Sequence, residues 1–491
     1  MSEAEAGTGP AASGTGPDEP AGDGHANSGG HNADGHAAGH ERNGREEAVP
    51  SPRRPRIAAA VAAAVLFTVL AAVLALTTPW DPLPGPVPGG NVDPDAARDF
   101  SPAEIARSRA FDSALNPPAY TGLVAGLAVV LALGLTPLGA RFVGWTTART
   151  RRRFLRVIVG AVSLTALLRA AGLPFGIWRE TVLRRYGLST QGWGEWLLDQ
   201  LRSLGVTWVF TTVALLLLYT VVRRFPRYWW TGAAAGGFLL VLLVSFIYPI
   251  AVEPVFNRFH SLEPGPLRSR LLAMAERDGV PVDDVLVADA SRRTTSLNAY
   301  VSGFGSTRRI VLYDTLLKSP SARVESIVGH ELGHAKRNDV LWGTLVGALG
   351  VAGAMCLLYL LMTSPRLLRR AGVDPAGRPS GDRGAADPRS IALVLALVTV
   401  GTQISAPVQN LVSRHIEMRA DVHALDLTRD PSTFVTMQHE LSVRNISDLS
   451  PDALEYLLWV SHPPAPDRIA MARAWARQNG VKEPPSSRPP R

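Results

Sequence analysis

The stretch 326–339 reads SIVGHELGHAKRND and holds His330, Glu331 and His334. Four residues advance about 400° around an α-helix, so His330 and His334 project from one face, a turn apart. Two imidazoles placed this way can reach one metal ion. Glu331 sits about 100° round from His330 and can address a water rather than the ion. The H-E-x-x-H spacing suits zinc-dependent hydrolysis: zinc polarises the scissile carbonyl and makes water nucleophilic near neutral pH. Glu331 would take the water proton and return it to the leaving amine, with no covalent acyl-enzyme. The plain alternative is a polar helix face with two surface histidines.

A catalytic zinc needs a third protein ligand and an open position. Further along, LVSRHIEMRADVHALDL places Glu417 and Asp421 four residues apart, again on one helical face. Glu417 can complete a His-His-Glu set for one Zn2+ ion. Asp421 can accept the remaining N–H of a ligating imidazole, fixing its ring. Taken alone, EMRAD reads as an ordinary charged helix; after an H-E-x-x-H in the same chain, the zinc reading gains weight.

These groups need elements to position them, and much of the chain is apolar. Of 491 residues 46% are hydrophobic and only 19% charged, with the apolar residues in blocks. Seven blocks are long enough for membrane helices: 57–77, 121–140, 154–175, 205–222, 230–251, 340–362 and 391–412. Arg169 lies inside the third and is expected to face the bundle interior and pair there, as a packing residue. The net charge of +8 does not point to nucleic acid, because the arginines gather at the ends of the blocks. Basic clusters at 53–56, 141–153, 223–227 and 366–389 fall in alternate loops. The positive-inside rule then puts the N-terminus in the cytoplasm and the C-terminus outside, together with the segment between spans five and six. No cleavable signal peptide is expected at the start of the chain. The lone cysteine, Cys356, lies in an apolar block and says nothing about compartment.

Outside the blocks the chain divides further. Residues 1–50 are rich in Gly, Ala, Asp, Glu and Ser and are expected to form a disordered tail; its His25, His31, His36 and His40 are read as solvated. Segment 51–252 carries spans one to five. In 253–339, PLRSRLLAMAERDG has helical periodicity and a Gly279 stop, while VLVADA and RIVLYD read as strands. Ser319 and Pro320 suit the N-cap and first turn of the HELGH helix. Segment 340–412 carries spans six and seven, and 413–491 reads as helices around a rigid SHPPAPDR turn. The expected fold class is mainly α: a multi-pass bundle of about seven spans with a small α+β, gluzincin-like zinc-peptidase core.

The succession HELGH, membrane span, SRHIEMRAD, SHPPAPDR resembles the integral-membrane zinc metalloproteases that include the type I CAAX prenyl proteases and the HtpX-like proteases. The resemblance covers about 253–339 and 391–478, and seven spans match the prenyl-protease branch. It implies zinc held by His330, His334 and Glu417, with Asp421 behind the ligands. It also implies a helical fold around a zinc-peptidase core, with a large water-filled chamber. SLNAYVSG resembles the family's substrate-binding edge strand, which makes Asn298 and Ala299 substrate-side residues; an edge strand can hold an extended peptide by main-chain hydrogen bonds. SHPPAPDR supplies His462 and Arg468, either of which near the zinc could stabilise an oxyanion. Arg468 serves equally well in helix packing.

The expected activity is therefore zinc metalloendopeptidase, with Glu331, His462 and Arg468 in catalytic roles. The partners are a peptide or protein substrate and the lipid bilayer, not nucleic acid, with oligomeric state left open. The arginines put the zinc site outside the cytoplasm, unlike that of the eukaryotic prenyl proteases. Two other readings compete. A site-2-type intramembrane protease needs its motif inside a span, but HELGH precedes one. A non-proteolytic transporter or metal-handling protein would leave the full hydrolytic set unexplained.

Overall fold

A computed structural model of the chain describes residues 53–303, 305–373 and 384–488. The tail expected at 1–50 lies outside these residues. Helix α1 (Arg53–Thr77) leads to a Pro-rich crossing and then to α2 (Pro102–Leu135). Ser101 caps α2: its Oγ accepts from the Glu104 N–H, and the Glu104 carboxylate accepts from the Ser101 N–H at 2.8 Å. The span expected at 121–140 does not run through. Pro137 lacks an N–H and forces Thr136 into an extended conformation, so α2 stops at Leu135 and a short α3 (Pro137–Thr146) begins. Three more long helices follow: α4 (Arg153–Arg185), α5 (Trp193–Arg224) and α6 (Trp229–Ile247). Arg169 on α4 is exposed and donates to the Gln200 amide of α5, so its partner is not an acid.

The segment after α6 forms a four-stranded sheet with flanking helices. Its elements are β1 (Phe259–Ser261), α7 (Pro266–Arg277), β2 (Asp284–Ala288), β3 (Ala299–Ser302) and β4 (Arg309–Tyr313). The order is β1-β2-β4-β3, with β2 and β4 parallel and the outer pairs antiparallel. β3 is thus an edge strand. Helix α8 (Ser321–Arg337) carries HELGH and packs Val324, Val328 and Leu332 into a core with Leu271, Ile310 and Leu312. It starts later than expected. Pro320 takes the N-cap position, while Ser319 closes the preceding turn and donates from its hydroxyl to Glu440 at 3.0 Å.

Asn338 ends α8 with φ 55°, a left-handed conformation that Asn tolerates. The next residue opens α9 (Asp339–Met362), so HELGH and the following span are separate helices. Helix α10 (Ile391–Thr428) begins as the seventh span and continues through EMRAD without a break. Three helices complete the fold: α11 (Pro431–Asn445), α12 (Ala453–Leu458) and α13 (Ala465–Gln478). Arg473 of α13 donates to both oxygens of Asp99, which precedes α2; both residues are buried.

Among the described residues, seven helices are long and apolar enough to cross a membrane, and no more than 39% of any apolar window is buried, as suits helices solvated by lipid. The chain is a multi-pass membrane protein. Its buried apolar side chains fall into two main clusters. One surrounds the sheet and α8. The other joins Val143, Val157, Leu164, Tyr219, Trp229, Tyr359 and Ile391 at the opposite end of the spans. There the α2 and α10 backbones touch: a Cβ on Gly134 would lie 2.8 Å from the Ala392 carbonyl oxygen, so only glycine fits.

Candidate metal centre

The centre forms where α8 crosses α10. Gly329 and Gly333 lie one turn apart beside the two histidines. A Cβ at Gly329 would sit 3.6 Å from the Ala424 Cα, and one at Gly333 only 3.0 Å from the His423 Cβ. These small residues let the helices approach closely, and the approach brings Glu417 to the HELGH face. On the far side Asp278 ties the same helices together. Lys336 of α8 donates to it at 2.7 Å, and His423 of α10 lies 2.9 Å from its other oxygen.

His330, His334 and Glu417 each offer one ligand atom, all within 4.8 Å of one another. The two Nε2 atoms stand 3.1 Å apart. Glu417 Oε2 lies 3.2 Å from His330 Nε2, and Oε1 lies 3.6 Å from His334 Nε2. Tetrahedral zinc, with bonds of about 2.0–2.1 Å, would set its ligand atoms roughly 3.3 Å apart. Each remaining ring nitrogen faces a carboxylate: His330 Nδ1 is 2.8 Å from Asp421 Oδ1, and His334 Nδ1 is 2.9 Å from Asp339 Oδ2. A carboxylate only accepts, so both Nδ1 atoms carry the proton and both Nε2 lone pairs are free to ligate. Glu417 Oε2 is buried with no hydrogen-bond partner, and an orphaned carboxylate oxygen of this kind suits a cation. The donor set and its spacing fit a metal ion.

The electrostatics agree. Burial opposes a charge on His330, but the hydrogen bond to Asp421 and the nearby Glu417 carboxylate outweigh it and hold the imidazole pKa up at about 10. The cluster draws positive charge, and a proton or a metal can supply it. Burial raises the Glu331 carboxyl above the ordinary glutamate value, only partly offset by the nearby histidines. That direction strengthens it as a base.

The other residues singled out in the sequence fall in two groups. His462 is exposed beside the cluster, with Nε2 3.4 Å from Glu417 Oε1. Its loop is held by Arg414, which donates to the Tyr456 and Val460 carbonyls at 2.9 and 2.6 Å. Asn298 is exposed just before edge strand β3, and its carbonyl accepts from the Tyr313 N–H; Ala299 is buried. Arg468 stands against Asp421. It is buried behind the ligands, with Nε 2.7 Å from Asp421 Oδ2 and Nη2 on Oδ1. A further contact runs from Nη2 to His330 Nδ1 at 3.4 Å.

Two groups went unread in the sequence. Asp339 engages His334, and Arg419 donates to the other oxygen of Asp339. The one signal for them was Asn338, a residue suited to a left-handed turn that brings its successor back toward the helix end.

Two family models match the chain. Peptidase family M48 matches residues 261–476, and "CAAX prenyl protease N-terminal, five membrane helices" matches 94–258. Helix α1 precedes both. An uncharacterized metalloprotease of Bacillus subtilis, YhfN, is 29% identical over 393 residues, covering 79% of this chain and 90% of that protein. CAAX prenyl protease 1 of Saccharomyces cerevisiae is 24% identical over 315 residues, covering 62% and 69%. The crystal structure of S. mikatae Ste24p superimposes with a TM-score of 0.67 at 19% identity, over 85% of this chain and 98% of that one.

Proposed function

We propose, for a chain that belongs to peptidase family M48 and is a membrane metalloprotease, that its metal is a single Zn2+ held by His330, His334 and Glu417. The observation that carries this reading is the convergence of their ligand atoms around the unpartnered Glu417 oxygen. When bound, zinc supplies Lewis acidity to water and to the scissile carbonyl. Glu331 takes the proton of the attacking water and passes it to the leaving amine. His462, on the open side, donates to the oxyanion. Asp421 keeps His330 in its ligating tautomer, and Arg468 holds Asp421. An extended substrate adds to the edge of β3 near Asn298 and Ala299.

The segments 51–252, 253–339, 340–412 and 413–491 serve as spans, first catalytic piece, spans and second catalytic piece. The substrate is a peptide, and no nucleic acid is involved. The zinc site faces away from the cytoplasm. Contacts among the basic clusters support this. Arg56 donates to Thr363, the Tyr359 hydroxyl donates to the Arg227 carbonyl, and Gly144 lies beside Arg389. All four clusters therefore meet at one end of the spans. Asp339, at the metal centre, is one full length of α9 away, about 36 Å for 24 residues. Relatives named CAAX prenyl proteases then share the chemistry, while prenylated cytosolic proteins are not the expected substrates of this chain. The test is cleavage of a fluorogenic peptide library by detergent-purified protein. Activity abolished by chelator and restored by Zn2+ supports the reading; chelator-resistant cleavage refutes it.

A further inference from the structure

We propose that Asp339 and Arg419 form a positioning pair for His334, setting metal affinity through a contact between two membrane-spanning helices. The inference rests on the reading of His330, His334 and Glu417 as metal ligands. Each histidine presents Nε2 to the centre and Nδ1 to a carboxylate, and each carboxylate is held by an arginine. For His330 the chain is Asp421 and Arg468, with the Asp421 side chain fully buried. For His334 it is Asp339 and Arg419, at the rim, with side chains 14% and 24% exposed. Asp339 uses both oxygens, Oδ2 toward His334 Nδ1 and Oδ1 toward Arg419.

Asp339 is the first residue of α9, and Arg419 lies on α10 between Glu417 and Asp421. Neither belongs to α8, which carries His334. The ring angle of this ligand is thus set by where α9 and α10 stand relative to α8. The left-handed Asn338 fixes the join, and its side chain accepts from Arg308 at 2.6 Å. An acid in the first turn of α9 also suits the helix dipole. That role alone would leave the metal untouched, so the two can be told apart.

The experiment uses full-length protein in detergent. Zn2+ affinity is read by competition with a chromophoric chelator, and ligand geometry by the visible spectrum of the Co2+-loaded protein. Asp339→Ala should weaken Zn2+ binding about 10–100-fold and alter the Co2+ bands. Asp339→Asn should lose less, because its amide oxygen still accepts from Nδ1. Arg419→Ala should weaken binding by a smaller factor, and the double alanine variant should cost little more than Asp339→Ala alone. A folded Asp339→Ala protein with affinity within about twofold of the parent overturns the proposal, since loss of such a partner costs at least about tenfold. If that variant fails to fold, unchanged affinity and spectrum in Arg419→Ala does so instead. His334→Ala is the control. Parental affinity in that variant would refute the ligand assignment itself, not the positioning role.

Discussion

His330 Nδ1 and Asp421 Oδ1 stand 2.8 Å apart although 91 positions separate them in the chain. The contact is buried, and Arg468 closes it from behind. Asp421→Ala removes the acceptor that fixes the His330 tautomer. The expected outcome is about a 10–100-fold loss of Zn2+ affinity, read by chelator competition. Glu417→Ala should release the metal altogether and abolish peptide cleavage.

Glu331→Gln removes the base and no ligand. Turnover should fall by about 10²–10⁴-fold while Zn2+ content, measured by mass spectrometry of the purified protein, stays at one ion. Turnover near that of the parent would rule out Glu331 as the general base.

Gly333→Ala tests the helix approach that assembles the centre. Its methyl would meet the His423 Cβ at 3.0 Å and the ring at 3.1 Å. Overpacking of this kind costs about 1–3 kcal/mol. The thermal midpoint should drop and Zn2+ should bind more weakly, because α10 carries Glu417 away as it yields. A variant with unaltered stability and metal binding would show that the contact has no role in assembly.

Sidedness is tested with single cysteines in a Cys356→Ala background. Arg369 and Lys482 are both exposed, the first in the basic segment after α9 and the second after α13. In intact cells, a membrane-impermeant thiol reagent should label Lys482→Cys and not Arg369→Cys. The reverse pattern would put the metal centre in the cytoplasm and return prenylated proteins to consideration.

The spans were legible in the sequence because lipid demands long apolar blocks. HELGH and EMRAD were legible because metal chemistry dictates ligand type and helical spacing. Strand β1 was not, since three residues reading FHS carry no periodicity and owe their conformation to pairing with β2. The break at Thr136 was marked by Pro137, yet the apolar pattern runs straight across it. Arg468 could be placed near the site but not on its partner. Its type suits an oxyanion and an aspartate equally, and only the packing of α13 against α10 brings it to Asp421. Asp339 and Arg419 were hidden for the same reason, as their meeting depends on three helices at once.

The buried ion pair of Asp99 and Arg473 carries a further consequence. Its members lie on either side of six of the seven membrane helices. Two points of a chain can meet on one face of a bilayer only if the chain between them crosses an even number of times. A single helix that failed to insert would change that parity and strand the two charges on opposite faces. The pair therefore works as a parity check on insertion, closing only when the number of crossings between its members is even.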